Sequence, residues 1–133
     1  MPRWLSRWIP FFGRATCPLG QQGEDLAVRW LRGAGYTILG RNVHIGRYEV
    51  DIIARDGDTT VFVEVKTRRS DALASPEQNV GPIKQRKLIA AARRYAAREN
   101  NPGMYYRFDI VSVIVPEQGR ARITLFKDAF QAH

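Results

Sequence analysis

The chain has 133 residues, 44% of them hydrophobic and 26% charged, which is typical of a single globular domain with its own core. Its net charge of +8 indicates a polyanionic partner, nucleic acid in preference to a membrane surface. Cys17 is the only cysteine, which excludes an intrachain disulfide and argues against a cysteine-based metal site. The two histidines are too few for a histidine metal cluster.

Residues 1–19 differ in composition from the rest of the chain. Arg7 and Pro10 interrupt the apolar run of this segment, so its pattern does not predict a signal peptide, and the run is too short for a segment expected to span a bilayer. We expect a basic aromatic N-terminal extension that packs on the domain or frays. A basic aromatic anchor for a membrane surface or for nucleic acid is the alternative. The expected compartment is the cytoplasm, with residues 20–133 as a single domain.

An amphipathic helix is predicted from about Gly20 to Ala34, and a first strand from Tyr36 to Asn42. Gly33 and Gly35 favour the end of the helix there. Glu24 points roughly towards the covered side of this helix. A first-turn glutamate that complements the helix dipole is one interpretation of that residue.

The central feature is the stretch from Glu49 to Lys66, which contains two apolar runs with carboxylates around Asp56-Gly57. That dipeptide is a strong hairpin signal. Residues two apart on a strand share a face, so an even-length turn places Asp51 on the same face as Glu64 and Lys66. A turn from Asp56 to Thr59 would set Asp51 opposite Glu64, and Glu49 opposite Lys66.

The near-continuous apolar residues around these acids predict strands covered on both faces. Ionised carboxylates are costly there unless something compensates them, and neighbouring acids raise each other's pKa. A divalent cation, Mg²⁺ or Mn²⁺, resolves both problems with oxygen ligands. A lysine beside that ion suits phosphodiester hydrolysis, because it stabilises the charge that develops. Alone, Glu-x-Lys is more often a solvated ion pair; the preceding acid-bearing strand and hairpin favour the catalytic interpretation.

After Lys66 the composition of residues 68–81 predicts a loop, which we expect to be mobile and close to substrate. A second helix is predicted from Pro82 to Arg98. A stripe of basic residues follows one side of it. Such a stripe is usually a solvated face, but in this basic chain we expect phosphate contacts. The predicted nucleic-acid contacts are Lys84, Lys87, Arg94 and Arg98.

Two strands complete the prediction, Arg107 to Val115 and Arg120 to Phe126. The element order is then α-β-β-β-α-β-β, an α/β sandwich with a mixed central sheet flanked by helices. The helical crossover between Lys66 and Arg107 predicts that the strands on either side of it run parallel. Asp109 is expected to be the buried partner of an arginine.

At Asp51 and Glu64-Val65-Lys66 the sequence resembles the PD-(D/E)XK nuclease pattern, and more closely the YraN-like family of predicted endonucleases, related in pattern to archaeal Holliday junction resolvases. The resemblance covers roughly residues 20 to 128. The family usually has glycine before its first acid, where this chain has Tyr48. Other matching positions are Gly23, Glu24, Ala27, Gly35, Tyr36, Asn42, Glu49, Val50, Phe62, Val63, Arg68, Lys84, Lys87, Arg107, Phe108 and Asp109.

The resemblance implies a restriction-endonuclease-like three-layer sandwich and a Mg²⁺ or Mn²⁺ site. Asp51, Glu64 and the backbone carbonyl of Val65 would be metal ligands, with Lys66 catalytic. Glu24 matches an acid of the first helix that approaches the metal, which is the second interpretation of that residue. Glu49 and Arg68 would lie next to the metal ligands and help to hold them in position.

Two classes of function follow from the sequence. The first is a metal-dependent nuclease acting on DNA, including branched or structured DNA by analogy with the resolvases, which work as homodimers. The second is a catalytically silent nucleic-acid-binding module with the same fold. The complete set of Asp51, Glu64 and Lys66 favours the nuclease, since a silent module has no chemical need for all three. The hypothesis of a membrane-surface partner is supported only by the composition of residues 1–19.

Overall fold

A computed structural model describes residues 4–9, 17–70 and 80–132. These residues form one six-stranded mixed sheet and two helices. The strands are β1 (Trp4–Ile9), β2 (Thr37–Ile45), β3 (Tyr48–Asp56), β4 (Thr59–Arg68), β5 (Tyr106–Ile114) and β6 (Ala121–Phe130), and the helices are α1 (Leu19–Gly33) and α2 (Pro82–Arg98). Across the sheet the strand order is β1-β6-β5-β4-β3-β2.

The helices lie on opposite faces of the sheet, which gives three layers. Along β4, Val61 and Val63 pack in a core with α1, whereas Phe62, between them, packs in a second core with α2. All three side chains have no exposed surface. The prediction that the central strands are covered on both faces is therefore confirmed.

The hairpin register on which the site depends agrees with the prediction. Asp56 pairs with Thr59, so the loop has two residues, and the ladder continues to Ile52 opposite Val63. Gly57 occupies the first loop position with φ +63°, where glycine is free of the strain that a Cβ brings. The even turn length keeps Asp51 on the face of Glu64.

The predicted parallel pairing across the crossover is also confirmed, since β4 and β5 are parallel with Glu64 beside Ile110. Asp109, on β5, is 1% exposed and accepts hydrogen bonds from Arg107 Nε (2.9 Å) and the Tyr36 hydroxyl (3.2 Å). It is the buried arginine partner that the sequence predicts. Arg107 Nη2 and the backbone N–H of Asp128 donate further bonds to it, at 3.1 and 2.9 Å.

The element order differs from the prediction at its start. Residues 4–9 form β1, which pairs antiparallel with β6 at one edge of the sheet. Ile9 packs against the α1-side core, while Trp8 is 60% exposed with the Arg122 guanidinium over its ring. This part of the N-terminus belongs to the sheet, whereas residues 1–3 and 10–16 of the predicted extension lie outside the described residues.

Two strands are longer than predicted. The first predicted strand, expected to end at Asn42, continues to Ile45, where Gly46 (φ +61°) begins a two-residue turn into β3. The last strand continues past Phe126 through an irregularity at Asp128 (φ +55°). Phe130 then stacks on Phe108 with 4.8 Å between the ring centroids. No described helix is both long and apolar enough to cross a membrane.

Candidate active site

The two predicted acids meet at the point where β3 and β4 stop pairing. The β3–β4 ladder ends at Ile52 and Val63, and the Asp51 carboxylate accepts a hydrogen bond from the backbone N–H of Val65 at 2.8 Å. This side-chain contact takes the place of the next backbone bond. The strand ends therefore hold Asp51 beside the chain segment that carries Glu64.

Glu64 is the more buried of the two acids, with 5% of its surface exposed. Its Oε1 lies 3.7 Å from Lys66 Nζ and 3.5 Å from Lys84 Nζ. Its Oε2 is buried and has no hydrogen-bond partner among the described residues. A buried carboxylate oxygen without a partner is costly, so this atom has an unmet need for a donor or a cation.

The two acids perturb each other's protonation. Burial, followed by the negative charge of Asp51, raises the pKa of Glu64 from an ordinary 4.5 to about 7, against the opposing effects of Lys84 and Lys66. Burial also raises the pKa of Asp51, although the Val65 N–H and Lys84 act in the other direction. The charge of Glu49 raises the Asp51 pKa further. A bound cation would relieve both acids.

A cleft of about 350 Å³ opens on the α1 side of this acid pair. Glu24, Asp51, Val65 and Lys66 line it, together with Gly20 and Thr67. Glu24 thus approaches the site, as the family resemblance implies. Among the described residues, however, no three Asp, Glu, His or Cys side chains come together as a metal cluster.

The position of Glu24 is fixed by neighbours that the sequence analysis did not assign to the site. Its Oε1 accepts hydrogen bonds from Arg41 Nε at 2.9 Å and from Asn42 Nδ2 at 3.0 Å. Because α1 begins at Leu19, its first turn contains no acid, and the helix-dipole interpretation of Glu24 is wrong. Asn42 has φ +48°, a left-handed conformation that asparagine tolerates better than most residues. The match of Asn42 to the family pattern was the one feature of the sequence that pointed to a role for this residue.

The predicted basic contacts divide into separate groups. Lys84 contacts Glu64, so it belongs to the acid pair as well as to the helix surface. Lys87 lines a different cleft, beside the β2–β3 turn. The Arg94 guanidinium lies 5.5 Å from the centre of the Tyr48 ring. Arg98 is exposed near the end of α2.

The two predicted supporting residues also have defined places. Glu49 is exposed and pairs across the sheet with His44 of β2. The expected pairing of Glu49 opposite Lys66 is absent from the β3–β4 ladder, which ends at Ile52. Arg68 is half-buried at the end of β4, where its carbonyl accepts a 2.8 Å bond from the Val115 N–H.

The fold and the acid-lined cleft define a mixed α/β protein with a paired-carboxylate site at the strand ends. A family model described as "Uncharacterised protein family UPF0102" matches residues 23–113, and the chain belongs to that family. A UPF0102 protein of Geotalea uraniireducens is 45% identical over 113 residues, covering 85% of this chain and 89% of the relative. One from Syntrophus aciditrophicus is 46% identical over 112 residues, covering 84% and 87%.

Among solved structures, Pyrococcus furiosus SfsA in complex with Ca²⁺ is similar to this chain with 14% sequence identity and a TM-score of 0.38. The match covers 77% of this chain and 60% of that protein. A TM-score of this size does not establish a common fold.

Proposed function

We propose that the chain is a metal-dependent nuclease of the PD-(D/E)XK superfamily, with a restriction-endonuclease-like fold, that hydrolyses phosphodiester bonds in DNA in the cytoplasm. The observation that carries this proposal is the buried Asp51–Glu64 pair beside Lys66. Glu64 Oε2 is buried without a hydrogen-bond partner among the described residues. Burial raises the pKa of both acids, and the charge of Asp51 raises that of Glu64 further. Burial of such a pair of acids costs folding free energy unless a bound ligand compensates their charge.

The donor set suits a hard divalent cation. Carboxylate oxygens from Asp51 and Glu64 and the carbonyl of Val65 are the ligands that Mg²⁺ or Mn²⁺ prefers. The absence of a third clustered side chain in the described part of the chain is compatible with Mg²⁺, which usually keeps several waters. When bound, the ion would polarise the scissile phosphate and favour ionisation of a water. Arg41 and Asn42 hold Glu24 at the edge of the same cleft.

The residues of the chain have separate tasks in this proposal. The carboxylates of Asp51 and Glu64 hold the ion in an orientation fixed by the Val65 N–H and by the strand ends. Lys66, with its ammonium group 3.7 Å from Glu64, supplies positive charge next to the reacting phosphate. Branched or structured DNA, by the family resemblance, is the preferred substrate.

One observation favours the catalytically silent binding module. Two ammonium groups, those of Lys66 and Lys84, already lie within 3.7 Å of Glu64 Oε1. A buried carboxylate neutralised by two lysines can serve as a structural ion cluster without any metal. Glu64 Oε2, however, has no hydrogen-bond partner among the residues that the structure describes, even with Lys84 in place, and this favours the metal site.

The test uses end-labelled single-stranded, duplex, flapped and four-way DNA, each with and without Mg²⁺ or Mn²⁺. Wild type should cleave at least one substrate only when metal is present. Asp51→Asn should reduce cleavage by orders of magnitude, yet DNA binding should survive or tighten, since an anion facing the phosphates is lost. Asp58→Asn, the same change at an exposed turn position, is the matched control and should cleave normally.

Absence of cleavage under every condition, with identical DNA binding by wild type and Asp51→Asn, would favour the binding module. Equal cleavage by wild type and Asp51→Asn would show that the residues are wrongly assigned.

A further inference from the structure

A groove of about 750 Å³ lies between the first turns of α2 and the β2–β3 turn. The turn and the start of β3 contribute Arg47, Tyr48 and Glu49, and the helix contributes Lys84, Arg86 and Lys87. Four cationic groups therefore line it against a single carboxylate. That imbalance gives the groove a strongly positive surface and suits an anionic occupant.

The groove begins at the acid pair. Lys84 lines it and also lies 3.5 Å from Glu64 Oε1. Glu49, at its edge, is two residues from Asp51 along β3. Asp51 itself lines the cleft that contains Glu24 and not this groove. A polymer with its reacting phosphate at Asp51 and Glu64 would therefore lie next to the groove, which Lys84 joins to Glu64.

An aromatic ring is fixed within this basic surface. The guanidinium carbons of Arg47 and Arg94 lie 5.7 and 5.5 Å from the centre of the Tyr48 ring. Such cation–ring contacts restrain the ring beside the groove. Grooves that combine cations with an aromatic side chain are typical of sites for single-stranded nucleic acid, whose unpaired bases offer flat faces for contact.

The volume of the groove has room for part of one nucleic-acid strand. At about 750 Å³ the groove has the size of a small-molecule pocket, enough for a short stretch of one strand.

We propose that this groove binds a single strand of nucleic acid adjoining the reacting phosphate, through Arg47, Arg86 and Lys87. The inference deepens the proposed nuclease function and rests on it, since it names a substrate with an unpaired segment beside the cleavage position. Arg94 then supports Tyr48, and Arg98 is left outside the groove.

Binding without cleavage tests this proposal. Fluorescence anisotropy with a labelled oligothymidylate in EDTA, over a range of salt concentrations, compares wild type with an Arg47→Ala and Arg86→Ala double variant. Both residues are exposed, so folding should be unaffected, which thermal melts will check. The double variant should bind more weakly, and the slope of log K against log [salt] should fall by about 1.4, twice the roughly 0.7 expected per phosphate contact on a single strand.

The matched control is an Arg32→Ala and Arg120→Ala double variant, which removes the same charge at two exposed positions that do not line the groove. This control variant should keep most of the wild-type slope of log K against log [salt]. The proposal would be overturned by an equal loss of affinity in the control, or by no loss of affinity in the groove variant. It would also be overturned if wild type did not bind the oligothymidylate, or if unlabelled duplex competed equally well. Because no metal is present, these outcomes do not depend on whether the protein cleaves.

Discussion

Lys66 is the residue whose proposed role is purely electrostatic. Lys66→Ala should reduce metal-dependent cleavage about 100- to 1000-fold, since one group that stabilises transition-state charge typically contributes that much. DNA affinity should change little in comparison. Single-turnover cleavage rates and anisotropy on the same substrate measure the two effects. Lys127→Ala, an exposed lysine paired with Asp56, is the control and should retain full activity.

Glu64 gives the protein a pH dependence of stability that binding of a metal ion would remove. Burial raises its pKa from 4.5 to about 7, so between these values the folded state binds more protons than the unfolded state. Without metal, the free energy of unfolding should therefore fall as pH rises from about 4.5 to about 7. Glu64→Gln should flatten this dependence. Denaturant unfolding in EDTA across that range measures it, and identical profiles for wild type and Glu64→Gln would contradict the assigned environment.

At the residue scale, the sequence predicted the parts of the site that are close along the chain. Asp51, Glu64 and Lys66 follow from strand alternation and from the parity of one turn, because each is a local rule. The contacts of Lys84 with Glu64, and of Arg41 with Glu24, join separate elements. No local spacing encodes such pairs, and they require the packing of the helices on the sheet.

Helix α1 carries Glu24 to the cleft through a close approach to β4. A Cβ added at Gly23 would overlap the Thr67 side chain, so only glycine allows this spacing. Gly23→Ala should destabilise the fold by about 1–3 kcal/mol, as overpacking usually does, and should displace Glu24 from the site. Urea unfolding measures the loss. Gly20→Ala is the control, since a Cβ at Gly20 meets nothing within 4 Å.

Element prediction worked where periodicity and boundary signals coincided. The bounds of α2, Pro82–Arg98, agree with the prediction because proline favours a first turn and an asparagine-rich segment follows the end. β1 was missed, since alternating tryptophans and arginines in a short N-terminal segment resemble a surface anchor as much as a strand. Its pairing with β6 depends on more than 110 intervening residues, as the partners Trp4 and Phe126 show.

At the scale of the whole molecule, the sheet brings the two clefts to one end and closes the other with a buried polar network. Asp109, Arg107 and Tyr36 bond one another there, and Asp56 joins them through Arg107 at 3.0 Å. Strand order and this network are non-local, so the sequence predicted the sandwich and the parallel crossover but not the full topology. Whether the chain forms a homodimer stays a prediction.

The central claim is that Asp51 and Glu64 form a divalent metal site, and metal-induced stabilisation tests it without knowledge of the substrate. At 100 times the dissociation constant, an ion that binds only the folded state adds about 2.7 kcal/mol, on the order of a 10 °C rise in melting temperature. Titration of Mg²⁺ and Mn²⁺ in thermal melts should give this rise for wild type and Asp58→Asn, but little for Asp51→Asn. No shift for wild type, or the same shift for all three proteins, would contradict the account.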